Sequence, residues 1–184
     1  MEIKGTTIVG VKRDGHTVIA GDGQVTAGQS VIMKGNAVKV RRLYNDEVIV
    51  GFAGTVADAF MLSEKFEEML NKYSGNLMRS AVALAQLWRG DAGFRQLEAL
   101  MIVANKDEML VLDGTATSFS QKAAFARSEA AEITLWRRHA LMRNTKMNAK
   151  KIAVEAMKVA RNLRLHQRSL YRRGGVKWNY PLNR

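Results

Sequence analysis

Two amphipathic helical patterns set back to back, with β-hairpin patterns on both sides of them, constrain this chain more than any other feature. Thr55 can cap a helix with Asp58 three positions on, and Val56, Ala59, Phe60, Phe66, Met69, Leu70 and Tyr73 recur behind it at helical spacing. A second helix over about 77–88 gathers Leu77, Ala81, Leu84, Ala85 and Trp88 on one face. Upstream, residues 6–13 and 16–20 flank the turn-like Arg13-Asp14-Gly15, and Gly21-Asp22-Gly23 closes that hairpin. Residues 38–41 alternate apolar and basic side chains, and the apolar run 47–53 follows Tyr44-Asn45-Asp46, which predicts a second strand pair. Downstream of the helices, 99–104 and 109–112 bracket the polar Asn105-Lys106-Asp107-Glu108 as a third pair. Strands, two helices and strands again predict a layered α+β domain, not alternating βαβ units.

With 184 residues, 47% of them apolar, the chain can bury one substantial core and is short for two. It has no cysteine, which excludes disulfides and thiolate metal sites and is compatible with a reducing compartment. His16, His139 and His166 lack ligand spacing, so a metal-centred mechanism is not expected. Residues 1–5 have no apolar signal core, and no apolar run approaches the ~20 residues of a membrane span. The expectation is a cytoplasmic protein with no membrane partner.

The net charge of +12 suggests an anionic partner, but its distribution is uneven. Residues 1–114 carry 13 basic and 14 acidic side chains, whereas 115–184 carry 16 basic ones against only Glu129, Glu132 and Glu155. The last stretch, 161–184, contains no acid and interleaves Arg161, Arg164, Arg168, Arg172, Arg173 and Lys177 with Tyr171, Trp178 and Tyr180. That composition suits RNA or DNA, and it equally suits a solvated basic end, the reading preferred here. Residues 115–139 show no clean period, and 148–160 form a helical pattern capped by Asn148. The segment Gly23–Ser30 has the glycine spacing of a phosphate loop, but Gln29 stands where the lysine belongs, and no G-x-S-x-G elbow is present.

The sharper signal is a series of segments in fixed order: Gly5-Thr6-Thr7-Ile8-Val9, Ala20-Gly21-Asp22-Gly23-Gln24, Met33-Lys34-Gly35-Asn36, Lys39-Val40-Arg41-Arg42-Leu43, then Gly51-Phe52-Ala53-Gly54 followed by Ala57-Asp58-Ala59-Phe60. Together they resemble the HslV family, the threonine peptidases of bacterial proteasome-like complexes, related to proteasome β subunits. The resemblance runs from about 5 to 114 and resumes over 140–160. It implies a four-layer αββα N-terminal-nucleophile sandwich, with residues 1–5 a propeptide and 6–184 a single peptidase domain. It implies that Thr6, once exposed, attacks a peptide carbonyl through Oγ while its own α-amine takes the proton. Lys39 matches the active-site lysine, Asp22 its acidic partner, and Gly51 the residue whose backbone N–H faces the oxyanion.

The resemblance further implies a homo-oligomer, a double ring of two hexamers, and a hexameric AAA+ unfoldase partner, HslU, that binds ATP and delivers unfolded proteins. No cofactor is required for the peptide-bond chemistry. The family also carries a Gly-Ser-Gly-Gly segment and a sodium-binding Gly-x-x-Cys-x-x-Thr segment. Ser128-Glu129-Ala130-Ala131 stands in place of the first, and Arg161-Asn162-Leu163-Arg164-Leu165-His166-Gln167 matches the second at none of its three positions. Neither the serine nor the sodium site is therefore carried over. Agreement that stops at 114, returns at 140 and stops again at 161 is what compensating frameshifts produce, because a shifted frame yields unrelated residues until register is restored. Arginines placed at formerly apolar positions, Arg137, Arg138, Arg161 and Arg164, would each cost several kcal/mol to bury unpaired. Two other classes of function remain open at this point: a ring subunit without activity, and a nucleic-acid-binding protein acting through 161–184.

Overall fold

A computed structural model of the chain describes residues 8–21, 25–27, 31–34, 39–97, 99–113, 117–119 and 129–158. Ile8–Arg13 (β1) and His16–Gly21 (β2) form an antiparallel hairpin in which Arg13 faces His16 and Ile8 faces Gly21. Its two-residue turn holds Asp14 at φ 53° and Gly15 at φ 74°. A pair of left-handed residues there matches the twist of the flanking strands. Val25–Ala27 (β3) and Val31–Lys34 (β4) make a second hairpin. Nothing in the sequence reading foresaw it, because strands of three and four residues carry too few side chains to reveal a period.

Val40–Leu43 (β5), Val48–Ala53 (β6), Leu100–Ala104 (β7), Met109–Asp113 (β8) and Thr117–Phe119 (β9) join in that order into one antiparallel sheet. Strands β6, β7 and β8 fall where the apolar runs placed them, whereas β5 begins at Val40, two residues later than the alternating stretch 38–41 predicted. Between β6 and β7 lie Val56–Lys72 (α1) and Leu77–Gly90 (α2). Thr55 caps α1 by accepting the Asp58 N–H at 3.1 Å, as its sequence position predicts, and Asn76 caps α2 by accepting from Arg79 N at 2.9 Å. Glu129–Asn144 (α3) follows β9, and a last helix (α4) occupies residues 149–158, where Asn148 Oδ1 accepts from Lys151 N at 2.9 Å.

The layers run α, β, β, α. Helices α1 and α2 cover one face of the five-stranded sheet, the β1-β2 hairpin lies on the other, and α3 and α4 cover the hairpin's outer side. Strand β1 is therefore buried on both faces. Ile8, with Ile19 of β2, joins the main core of Leu62, Phe66, Leu84, Trp88, Val50 and Ile102, whereas Val9 and Val11 join Ala149, Ile152, Ala153 and Ala156 in the outer one. All five residues expected on the α2 stripe are buried. On α1 the expected stripe is less complete: Phe66 and Leu70 are buried, Ala59, Met69 and Tyr73 are half-buried, and Phe60 is 47% exposed, with the Arg41 guanidinium 3.7 Å above its ring. Leu62 and Ser63 take the inner positions instead, and Ser63 satisfies its hydroxyl on Ala59 O at 2.7 Å.

Helix α3 was also unforeseen, and its polarity shows why. Trp136 is 74% exposed while Arg138 is 1% exposed. Arg138 opens the i, i+3, i+4 stripe continued by Leu141 and Met142 on the outer core. Its Nε and Nη1 have no hydrogen-bond partner among the described residues, and burial pushes its pKa down. Arg137, by contrast, stays exposed. Arg161 and Arg164 lie outside the described residues. Replacing a desolvated, half-satisfied cation by an apolar side chain of similar length removes its desolvation penalty. Arg138→Met is therefore expected to stabilise the fold by about 2 kcal/mol, read as a higher urea midpoint, and an unchanged or lower midpoint would contradict this assignment.

Candidate active site

The start of β1, the end of β2 and Lys39 come together at one end of the two stacked sheets. Chain continuity brings Thr6 two residues ahead of Ile8, where β1 begins, and Asp22 directly after Gly21, where β2 ends; Ile8 and Gly21 are register partners. Thr6 and Asp22 themselves lie outside the described residues. A methyl placed on Gly21 would meet Lys39 Cβ at 3.4 Å and Val40 Cγ2 at 3.7 Å, so the end of β2 abuts the start of β5. Lys39 is half-buried and immediately precedes that strand, and its carbonyl accepts the Phe52 N–H at 3.0 Å. The lysine backbone is thus locked to β6, opposite the hairpin end that follows Thr6.

Gly51 occupies the middle of β6 and supports this meeting of sheets sterically. A Cβ on Gly51 would lie 2.7 Å from Ile19 Cγ2 and 3.0 Å from Ile8 Cγ2. Those two isoleucines seat the hairpin in the notch left by the missing side chain. The oxyanion role expected for the Gly51 N–H needs correction. Val40 and Gly51 are partners, yet it is Phe52 N–H that bonds to Lys39 O, so Val40 and Gly51 form the non-hydrogen-bonded kind of pair. Antiparallel alternation then turns the Gly51 N–H away from β5 and toward its other partner, Ile102 of β7. Inside a five-stranded sheet that donor is committed to the ladder.

Sequence reasoning missed Ile8, Ile19 and Gly21 as the residues that bring the site's parts together. The signal was available in part, since Ile19 and Gly21 are two apart on one strand and so share a face. Beside the site, a cleft of about 420 Å³ runs between β2 and β5, lined by Thr17, Val18, Ile19, Val40, Arg41, Arg42 and Ile49. Among the described residues no group of three or more His, Asp or Glu side chains could hold a metal ion. The 161–167 stretch, where the resemblance would put sodium, is outside the described residues, as is Ser128.

The family model described as "Proteasome subunit" matches residues 3–168 of this chain. The chain belongs to the proteasome family. Within that family it is similar to the ATP-dependent protease subunit HslV of Staphylococcus carnosus, 52% identical over 159 residues that cover 86% of this chain and 89% of the relative. A shorter match to the HslV subunit of Ligilactobacillus salivarius is 64% identical over 110 residues, 60% of this chain and 63% of that one. Among solved structures, the crystal structure of eukaryotic HslV from Trypanosoma brucei superposes with a TM-score of 0.79 at 35% identity, covering 86% of this chain and 91% of that chain. The αββα layering is thus the N-terminal-nucleophile fold of the proteasome family.

The proteasome-family site therefore rests on a sheet-to-sheet contact with no room for a side chain on Gly51. Gly51→Ala is expected to cost about 1–3 kcal/mol through overpacking. Adding Ile19→Ala should recover part of that loss, so that the double variant is more stable than the two single effects added together. Additive effects in urea unfolding would mean that Ile19 is not the obstructing group.

Proposed function

We propose that this chain is the peptidase subunit of an ATP-dependent, proteasome-like protease, a threonine endopeptidase whose nucleophile is Thr6. The observation that carries the reading is the convergence, in a member of the proteasome family, of the strand entered from Thr6, the strand end leading to Asp22, and Lys39. Removal of residues 1–5 leaves Thr6 with a free α-amine beside its own hydroxyl. The amine, with a reference pKa near 7.7–8, accepts the Oγ proton as Oγ bonds to the substrate carbonyl carbon. The tetrahedral intermediate collapses, the leaving amine takes that proton, and an acyl ester remains on Thr6. Water, deprotonated by the same α-amine, hydrolyses the ester and restores the enzyme.

Lys39 supplies fixed positive charge that lowers the cost of negative charge on Oγ and disfavours protonation of the neighbouring amine. Asp22 keeps that lysine charged and oriented. Gly51 contributes the close seat of the hairpin, and its ladder-bound N–H takes no part in the chemistry. The cleft beside β5, an edge strand, has room for side chains of a peptide bound in extended form. No step passes through a metal or cofactor.

Because the sequence contains no nucleotide-binding motif, unfolding energy comes from another chain, an AAA+ unfoldase of the HslU type. The subunits assemble as a double hexameric ring in the cytoplasm, enclosing the sites and admitting unfolded polypeptide. No helix among the described residues is long and apolar enough to cross a membrane. A second reading, a ring subunit with the fold but no activity, is favoured by one observation, the buried Arg138 whose Nε and Nη1 lack partners among the described residues, in the stretch 115–139 that lacks the family's motif residues.

Intact mass and peptide hydrolysis separate the two. The chain as written should lose Met1–Gly5 and cleave small unstructured peptides, whereas Thr6→Ala should retain all five residues and lose hydrolysis by about a thousandfold or more. A chain that keeps its first five residues after assembly and resists reagents that modify N-terminal threonine would establish the inactive subunit instead.

A further inference from the structure

Among the described residues the β1-β2 hairpin shares no hydrogen-bond ladder with another strand. Among those residues, its contacts with the five-stranded sheet are made by side chains. At the Thr6 end the setting is apolar, Ile8 and Ile19 over Gly51. Apolar contact is strong but non-directional, and by itself it tolerates sliding and rotation.

At the opposite end a directional contact exists. Asn105 Oδ1 accepts from Asp107 N at 2.9 Å and from Glu108 N at 2.6 Å, while Asn105 N–H donates to Glu108 O at 3.0 Å. The β7-β8 turn is thereby held rigid, with the Asn105 and Asp107 carbonyls left to face the hairpin. Thr17 Oγ1 donates to Asn105 O at 3.2 Å, and Lys12 Nζ donates to Asp107 O. Lys12 and Thr17 are register partners, one on each strand of the hairpin, so their side chains leave from the same face. A single cross-strand pair therefore grips two alternate carbonyls of one braced turn.

We propose that Lys12 and Thr17 are positioning residues: with the Asn105-braced turn they form a second mount that fixes the register of the nucleophile-bearing hairpin on the main sheet. The proposal rests on the reading of Thr6 as nucleophile. Two separated anchors define both the place and the direction of a stiff ribbon, whereas the Gly51 seat alone defines only its place. The mount lies at the far end of the hairpin from the chemistry, yet tilting there moves the other end, and a misplacement of about 1 Å at reacting atoms can cost about a hundredfold in rate.

The test uses the full chain with Lys12→Met and Thr17→Val together, against Lys12→Arg and Thr17→Ser together. Amide exchange of residues 8–21 in the Met/Val variant should rise by about tenfold or more while α2 and β7 are unchanged. The kcat for peptide hydrolysis should fall by about tenfold or more with KM within about twofold, and the Arg/Ser variant should restore both readouts. Unchanged exchange in the hairpin, or an Arg/Ser variant as impaired as Met/Val, overturns the mount. Should the double variant fail to fold, Thr17→Val alone carries the same comparison. If exchange responds as expected but the unsubstituted chain shows no Thr6-dependent hydrolysis, the nucleophile reading fails and the mount stands.

Discussion

The structure depends on the close approach of two β-layers at Gly51. Packed sheets ordinarily stand about 10 Å apart, with side chains filling the gap. Where one strand offers only a Cα hydrogen, the facing layer can lower its own side chains into the vacancy, as Ile8 and Ile19 do. This contact joins the hairpin to the sheet near the end where Gly21 meets Lys39. The remaining architecture follows from it. With Ile8 committed inward, alternation turns Val9 outward, and Val9 and Val11 then need cover of their own, which α4 provides. The four layers are a consequence of one strand being apolar on both faces.

Much of this was legible in the sequence because the signals are local. An Asp14-Gly15 turn, a Thr55 cap and the α2 stripe each depend on a few neighbouring residues and survived folding unchanged. Lys39 was different. Periodicity placed it inside a strand as a surface residue, and only the family resemblance drew attention to it; in the fold it stands just ahead of β5, half-buried. Gly51 was singled out for an oxyanion role, whereas ladder direction turns its N–H toward β7 and the fold uses the position as a close-packing seat. Which way an N–H points is a property of strand pairing, which no single segment encodes. Phe60 fits the α1 spacing and yet faces outward, because Arg41 on a neighbouring strand offers its ring a cation, and helical spacing alone cannot separate a core edge from such a pairing.

The elements that escaped the sequence reading fall into two kinds. Strands β3, β4 and β9 are three or four residues long, too few side chains to reveal a period, and each is paired only with its neighbour along the chain among the described residues. Helix α3 is 16 residues long and would be easy to see if its stripe were apolar. A cation at Arg138 and a surface indole at Trp136 invert the pattern. Leu141 and Met142 supply part of the cover the outer layer needs, whereas Trp136 and Arg138 do not suit their places. That mismatch lies in 115–139, where the family's motif residues are not found although the family model spans the stretch.

The two cores divide the consequences. Every buried residue of the main core lies between Ile8 and Leu112, within the part of the chain that carries the motifs and is nearly charge-balanced. The outer core draws Val9 and Val11 from β1 and its remaining members from 149–156. Arg138 is buried beside that outer core, next to Leu141 and Met142 on the same helix face, so its strain acts on the outer layer first. Because β1 is shared, loosening of that layer bares one face of the strand that leads out of Thr6 while the other remains seated on Gly51. A fault in the outer helices would then loosen the strand that follows Thr6 before it weakened the fold, and with Thr6 as the proposed nucleophile activity would be lost from a chain that still holds its main core.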